Sequence, residues 1–211
     1  MGLIHAGPPK QLVRALREQF HIARFIETGT FIGETASWAA SQFREVITIE
    51  ASPQLYEHTA RRWAHVGNVR FVQADSRVAL GPALAASDEP ALLWLDGHWS
   101  DGLTFGAGNE CPLLQELQAV AASAQEHFIV IDDARLFAAP PPAPHDVAQW
   151  PTLDAVMDAL RDNGRSPYIV YIEDVIVAVP QEARQVVIDY CRHPSHGVLQ
   201  AQSQHGSGHG A

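Results

Sequence analysis

The chain has 211 residues, 46% of them hydrophobic and 18% charged, a balance that fits one globular domain with its own core and excludes a disordered chain. Fourteen basic residues against twenty-four acidic ones give a formal net charge of −10, and because the basic residues are scattered, a binder of the nucleic-acid phosphate backbone is disfavoured. The one lysine, Lys10, lies where burial is not expected, so Schiff-base chemistry is disfavoured too. Cys111 and Cys191 lack any metal-site spacing, no apolar run reaches the roughly 18 residues of a membrane span, and the N-terminus lacks signal-peptide character; a cytoplasmic protein is expected.

Taken in order, Gln11 to Gln19 places Leu12, Val13, Ala15 and Leu16 on one helical face after Pro8-Pro9, which predicts an opening helix. Its apolar positions could support a homodimer. From Ala23 the chain passes through a short apolar strand and a turn holding Gly29 and Gly33 into a helix with Ala36, Ala39 and Ala40. A second strand, Val46 to Ile49, ends at Glu50, and Ser52-Pro53 follows as N-cap and first helical position. Further strands are predicted at Val69 to Val72, Ala91 to Leu95 and Phe128 to Ile131, closing on Asp75, Asp96 and Asp132-Asp133. A helix from Thr152 to Leu160 precedes a terminal hairpin or strand pair, Tyr168 to Val179, interrupted by Glu173-Asp174.

Strands alternating with helices predict an α/β fold: a doubly wound, mostly parallel, seven-stranded sheet with helices on both faces. The expected organisation is an N-terminal helical segment over 1–20, an α/β domain over 21–190 and a disordered tail over 191–211. Two segments break the rhythm, the glycine-rich stretch from Gly97 to Gly108 and the proline-rich one from Phe137 to Pro151. Both follow strand ends, where ligands bind in such sheets. The tail histidines His193, His196, His205 and His209 have no metal-site spacing.

Glu27-Thr28-Gly29-Thr30-Phe31-Ile32-Gly33 puts a carboxylate at the end of the first strand and two glycines four apart before a helix. Such glycines permit close backbone approach to a cofactor, and the acid can accept hydrogen bonds from an ammonium or a ribose. Phe31 takes the place of the middle glycine of a dinucleotide fingerprint, which disfavours NAD. Glu50 stands where an acid grips ribose hydroxyls, and Asp75 where one could meet an adenine amino group. The plainer alternatives are that the glycines only shape the turn, that Glu50 is solvated ahead of the Ser52 cap, and that Asp75 caps the helix starting near Ser76.

ETGTFIG, ITIE and QADS resemble the cofactor-binding motifs of class I S-adenosylmethionine-dependent methyltransferases, and FIETGTFIGET, TIEASPQLY, WLDGHWSDG and VIDDAR resemble a bacterial group related to the macrocin O-methyltransferase family. Over residues 20–180 the resemblance implies a Rossmann-like methyltransferase fold. It implies that Glu27 and Gly29 line the methionine end of S-adenosylmethionine, with Thr28, Thr30 and Gly33 in the same turn. Glu50 would bind ribose, and Asp75 with Ser76 would lie near adenine. By analogy with metal-dependent catechol- and macrocin-type enzymes, Asp96, Asp132 and Asp133 would hold Mg²⁺, a hard cation suited to carboxylates. The alternative reading of these acids is as turn and cap residues.

His98, two residues after Asp96, is a candidate general base. Trp99, Phe105, Phe137 and Trp150 could wall an acceptor pocket, and Arg135 could steer an anion or pair with a neighbouring acid. The functional expectation is methyl transfer to a hydroxyl of a small molecule, with no nucleic acid or membrane partner. Its rivals are an NAD-type oxidoreductase and a non-catalytic cofactor-binding domain.

Overall fold

The computed structural model describes residues 7–99, 106 and 108–192. Seven strands form one sheet: β1 (Arg24–Thr28), β2 (Glu45–Glu50), β3 (Val69–Gln73), β4 (Ala91–Leu95), β5 (Phe128–Ile131), β6 (Tyr168–Ile172) and β7 (Val175–Val179). Their order is β3-β2-β1-β4-β5-β7-β6, with β1 to β5 parallel and β7 antiparallel to both its neighbours. The doubly wound α/β arrangement is therefore the one expected. The terminal hairpin also forms, but its second strand inserts beside β5 and its first becomes the edge.

Each strand divides its side chains between two cores because successive residues face opposite ways. On β4, Leu92 and Trp94 join Leu12, Val13 and Leu16 of α1 (Lys10–Phe20), Ala36 and Ala39 of α2 (Glu34–Ala40) and Val187 of α8 (Arg184–Arg192). Leu93 and Leu95 join the other core with Leu80 of α4 (Ser76–Ala85), Leu117 of α5 (Leu113–Ala121) and Val156 of α7 (Leu153–Arg161). A short helix, α6 (Arg135–Ala138), adds Leu136 and Phe137. The apolar face of α1, expected to support a dimer, is thus consumed inside this chain. Phe20 also packs on Phe128, ring centroids 5.3 Å apart, so the N-terminal helix belongs to the same core as the sheet. Among the described residues no helix is long and apolar enough to cross a membrane.

Local chemistry starts the helices where the sequence predicts. Ser52 Oγ accepts from Leu55 N ahead of α3 (Pro53–Arg62), with proline in its first turn, and Thr152 Oγ1 accepts from Ala155 N ahead of α7. Predicted and observed bounds differ by a residue or so: α1 begins at Lys10, α7 ends at Arg161, and α8 runs to Arg192, into the stretch expected as tail. The tail histidines lie outside the described residues.

The sheet order reverses between β1 and β4, and there the two backbones nearly touch. Gly29 has φ 80°, and a Cβ on it would stand 2.1 Å from the Asp96 carbonyl oxygen. Gly97 faces the opposite constraint, since its Cβ would meet Glu116 Oε1 at 3.0 Å and Thr28 Oγ1 at 3.2 Å. The ladder runs one step beyond each strand end: Gly29 N donates to Ile49 O, Asp96 N to Thr28 O, Asp132 N to Leu95 O and Ala74 N to Glu50 O. The residues after β1, β3, β4 and β5 are thereby tied to one rim. Gly29→Ala combines a left-handed backbone with this collision, and a loss of about 2 kcal/mol or more is expected, read as a lower urea midpoint.

Candidate cofactor and acceptor site

The rim carries carboxylates on both sides of the β1/β4 reversal. On the β1–β3 side, Glu27 is buried and accepts from Thr48 Oγ1 at 2.5 Å, and Thr48 in turn meets Thr30 Oγ1 at 2.6 Å. Burial raises the Glu27 pKa well above the usual carboxylate value, with Asp96 and Glu50 adding repulsion against the opposing hydrogen bond from Thr48. Such a group gains most from a cation placed beside it. Glu50 Oε2 accepts from Phe31 N at 2.9 Å and Oε1 from Ser52 N at 2.8 Å. An ionised carboxylate has about four lone-pair positions, so each Glu50 oxygen keeps acceptor capacity beyond its one backbone donor.

The glycine turn is clamped from outside. Thr59 Oγ1 donates to Phe31 O at 2.6 Å and Trp63 Nε1 to Ile32 O at 2.9 Å. A Cβ on Gly33, at φ 76°, would lie 2.6 Å from Thr59 Cγ2. Phe31 adopts φ 47°, the left-handed conformation a glycine favours, and its side chain is 52% exposed. The sequence departure at Phe31 therefore leaves the turn's shape intact at the cost of about 1 kcal/mol of backbone strain.

Asp75 caps α4 through Arg77 N at 2.9 Å and pairs with the Arg77 guanidinium at 2.6 Å. The hydrogen bond from Arg77 holds its pKa below the usual range. The capping alternative is thus realised at Asp75, with its carboxylate also at the β3 end of the rim. Ser76 is buried beside it.

On the β4–β5 side, Asp96, His98, Asp132 and Asp133 come together. Asp133 Oδ2 accepts from His98 Nε2 at 2.7 Å, and His98 Nδ1 lies 3.7 Å from Asp96 Oδ1. Asp133 Oδ1 takes Arg135 Nη1 at 2.5 Å, so Arg135 pairs with an acid as one of its alternatives foresaw. The imidazole occupies the space between two acids that a cation was expected to fill. Among the described residues no group of three or more His, Cys, Asp or Glu side chains could hold a metal ion. Asp96, Asp132 and Asp133 converge as the sequence suggests but do not form the Mg²⁺ ligand set, because His98 and Arg135 already bind the Asp133 oxygens.

The same contacts alter the role of His98. Burial alone would lower its pKa, but the Asp133 hydrogen bond and the charges of Asp96, Asp133 and Asp132 raise it to about 9. A ring raised this far favours its protonated form, in which both nitrogens donate. Asp96 and Asp132 are both pushed upward, first by burial and then by repulsion from neighbouring acids. Asp133 moves the other way: burial opposes ionisation, but His98 and Arg135 outweigh it.

Three side chains that sequence reasoning did not single out hold this edge. Glu110, buried, accepts from Trp150 Nε1 at 2.7 Å, from Asp146 N at 3.0 Å and from His145 Nδ1 at 3.1 Å. It thereby ties the loop after β4 to the proline-rich segment. Around Trp150 gather His98, His145 and Phe137, with ring centroids 5.1–5.6 Å away, and Trp99 meets His145 edge-on. Trp99, Phe137 and Trp150 cluster with the two histidines, and Trp150 and Phe137 are buried as core cover; Phe105 lies outside the described residues. Glu116 is buried below Gly97, its Oε1 without a hydrogen-bond partner, and burial lifts its pKa to about 7 against hydrogen bonds from Ser76 and Thr28. The available signal was an acid on the apolar face Leu113, Leu117, Val120. Asp174 is the third.

A cavity of about 190 Å³ bounded by Leu117, Ile129, Leu160 and Arg165 lies at the opposite end of the sheet, away from these acids.

No family model matches the chain, and no curated protein does. Solved structures do. A SAH-bound methyltransferase of Podospora anserina is similar over 81% of this chain and 76% of that one, with TM-score 0.57 at 15% identity. A Staphylococcus aureus protein assigned as a caffeoyl-CoA O-methyltransferase is similar over 84% and 86%, with TM-score 0.55 at 12% identity. A Streptococcus mutans protein assigned as a methyltransferase, in complex with SAH, covers 83% and 99% with TM-score 0.51 at 11% identity. At such identities the likeness establishes the fold, which is the Rossmann-like fold of these methyltransferases.

The His98 pKa, raised from 6.5 to about 9, has a defined sign in stability. Its contribution is fully present below pH 6.5 and lost as pH rises through about 9. Urea midpoints of the wild type should therefore fall across that window, and those of His98→Gln should fall less. Glu110→Gln removes a charged acceptor from three donors and should cost about 1.5–3 kcal/mol in the same measurement.

Proposed function

We propose that the chain is an S-adenosylmethionine-dependent methyltransferase acting on a hydroxyl group of a small molecule. One observation carries the reading: at the β1/β4 reversal, where ligands bind in open α/β sheets, a buried acid in need of a cation (Glu27) and an acid with spare acceptor capacity (Glu50) share one rim with a glycine-made close approach. The donor set suits the proposed cofactor, whose ammonium would answer Glu27 and whose ribose hydroxyls would answer Glu50. Asp75 and Ser76 would border its adenine. When bound, the cofactor supplies an electrophilic methyl group on a sulfonium.

The chain's own residues divide the remaining work. The turn from Gly29 to Gly33, clamped by Thr59 and Trp63, sets the approach distance, which is the main lever in a transfer that depends on alignment. Trp150, Trp99 and Phe137 exclude water on the acceptor side. Asp96, raised to about 6 by burial, is the group suited to accept the acceptor's hydroxyl proton, while Asp132, pushed by burial to about 8, keeps its own. His98 and Arg135 hold positive charge beside the oxygen as it loses that proton, the electrostatic role a divalent ion plays elsewhere. No step is assigned to Mg²⁺. The acidic surface balance favours a small acceptor over nucleic acid. The free thiols of Cys111 and Cys191 suit a reducing, cytoplasmic setting.

Calorimetric titration with S-adenosylmethionine and S-adenosylhomocysteine tests the reading. Saturable binding of both is expected, weakened at least about tenfold in Glu50→Ala by loss of hydrogen bonds to a charged acceptor. Labelled-methyl transfer to a panel of hydroxylated acceptors should then proceed equally with and without a chelator. Absence of cofactor binding would overturn the proposal, and binding without transfer would favour the non-catalytic alternative.

A further inference from the structure

We propose that Asp174, carried on the hairpin turn between β6 and β7, is a positioning residue for the acceptor edge, acting through Arg135 to fix Asp133 and, through it, His98. The inference rests on the reading of this edge as the acceptor side. Its test uses neither cofactor nor turnover, so the two can fail separately.

The hairpin turn is unusual in three respects. Glu173 and Asp174 have φ 51° and 69°, the left-handed pair that two-residue hairpins normally assign to Asn and Gly. Asp174 is 5% exposed, although a hairpin tip ordinarily leaves a carboxylate in water. Both residues are held from outside the hairpin: Glu173 Oε2 accepts from Tyr190 on α8 at 3.0 Å, and Asp174 reaches across to the loop after β5. Non-glycine residues in strained conformations persist where their surroundings over-determine them, and such places cluster at functional sites.

Apart from one bond within its own hairpin, the contacts of Asp174 lead to the loop after β5. Its carbonyl oxygen accepts from Ala134 N at 2.8 Å, and its Oδ1 from Arg135 N at 2.9 Å. Its Oδ2 pairs with Arg135 Nη1, and Tyr171 adds its hydroxyl to Oδ1 at 3.3 Å. The same Nη1 holds Asp133 Oδ1, and Asp133 is itself left-handed at φ 51°. Two strained turns on different strands are thus stitched together by one guanidinium, and the result is an alternating row, Asp174, Arg135, Asp133, His98, Asp96. Without Asp174, Arg135 would be free to follow Asp133 or leave it for solvent, since its side chain is 41% exposed. A planar guanidinium held by two carboxylates has one orientation. Asp133 then has one oxygen left for His98, and the imidazole is fixed in the gap beside Asp96.

Asp174→Asn is the clean variant, because asparagine tolerates the left-handed turn and keeps an oxygen for Arg135 N while losing the charge. The readout is the ring N–H proton resonance of His98 in the full chain, identified by its loss in His98→Gln. We expect this resonance to shift in Asp174→Asn and in Arg135→Gln, and the double variant to show no shift beyond that of Arg135→Gln alone. A merely structural role would lower the urea midpoint without that non-additivity. An unmoved resonance in either single variant, or an additive shift in the double, would overturn the proposal. If Asp174→Asn does not fold, Arg135→Gln alone decides: an unmoved resonance overturns the proposal, and a shifted one supports the Arg135 link.

Discussion

The backbones of β1 and β4 come closer at their C-terminal ends than any side chain permits, and the site is arranged around that contact. Gly29 lies against the Asp96 carbonyl, and Gly97 lies over Glu116 and Thr28. With no Cβ between them, the residues leaving the two strands diverge at once, one run toward Glu50 and the other toward His98. A larger residue at either glycine would separate the strand ends, and with them the groups that must meet a single ligand. The one-step extension of the hydrogen-bond ladder past the ends of β1, β3, β4 and β5 makes this rim part of the sheet.

Closeness at the rim creates an electrostatic problem, because it brings several acids within reach of one another in a poorly solvated place. Repulsion and burial raise the pKa of Glu27, Asp96 and Asp132, while Asp133 escapes because cations touch both its oxygens. Removing one partner from such a set costs more than the pair contributes, since a buried charge is left alone. The positive groups here are supplied by the chain. His98 is held by acids on both sides, and Arg135 by acids on two loops.

Much of the fold was legible because period-two apolar runs and helix caps are local signals. β1 to β5, the Ser52 cap and the strand-end acids all stood in the sequence as short patterns. Asp96, Asp132 and Asp133 stood at strand ends in the sequence, and their gathering follows from the pairing of β4 with β5. What these acids bind was not legible. His98 meeting Asp133, 35 residues away, and Arg135 meeting Asp174, 39 residues away, depend on register between strands that no local pattern encodes. Glu110 was hidden in the same way: it lies beside a glycine-rich segment, and its partners His145, Asp146 and Trp150 come from the proline-rich one. The conformation of Phe31 was hidden in a different manner, since a residue type that discourages the left-handed backbone adopts it under the clamps of Thr59 and Trp63.

The position of β7 has a consequence for how the chain is assembled. β7 follows β6 in the chain yet lies between β5 and β6 in the sheet, so β6 has no place to dock until its successor has been made. A growing polypeptide emerging from the ribosome would therefore hold β1 to β5 with an open edge at β5, and with Arg135 lacking its second carboxylate, until Asp174 and Val175–Val179 arrive. The half of the rim bearing Glu27 and Glu50 can be completed before β6 and β7 are made, and the half bearing His98 only after them.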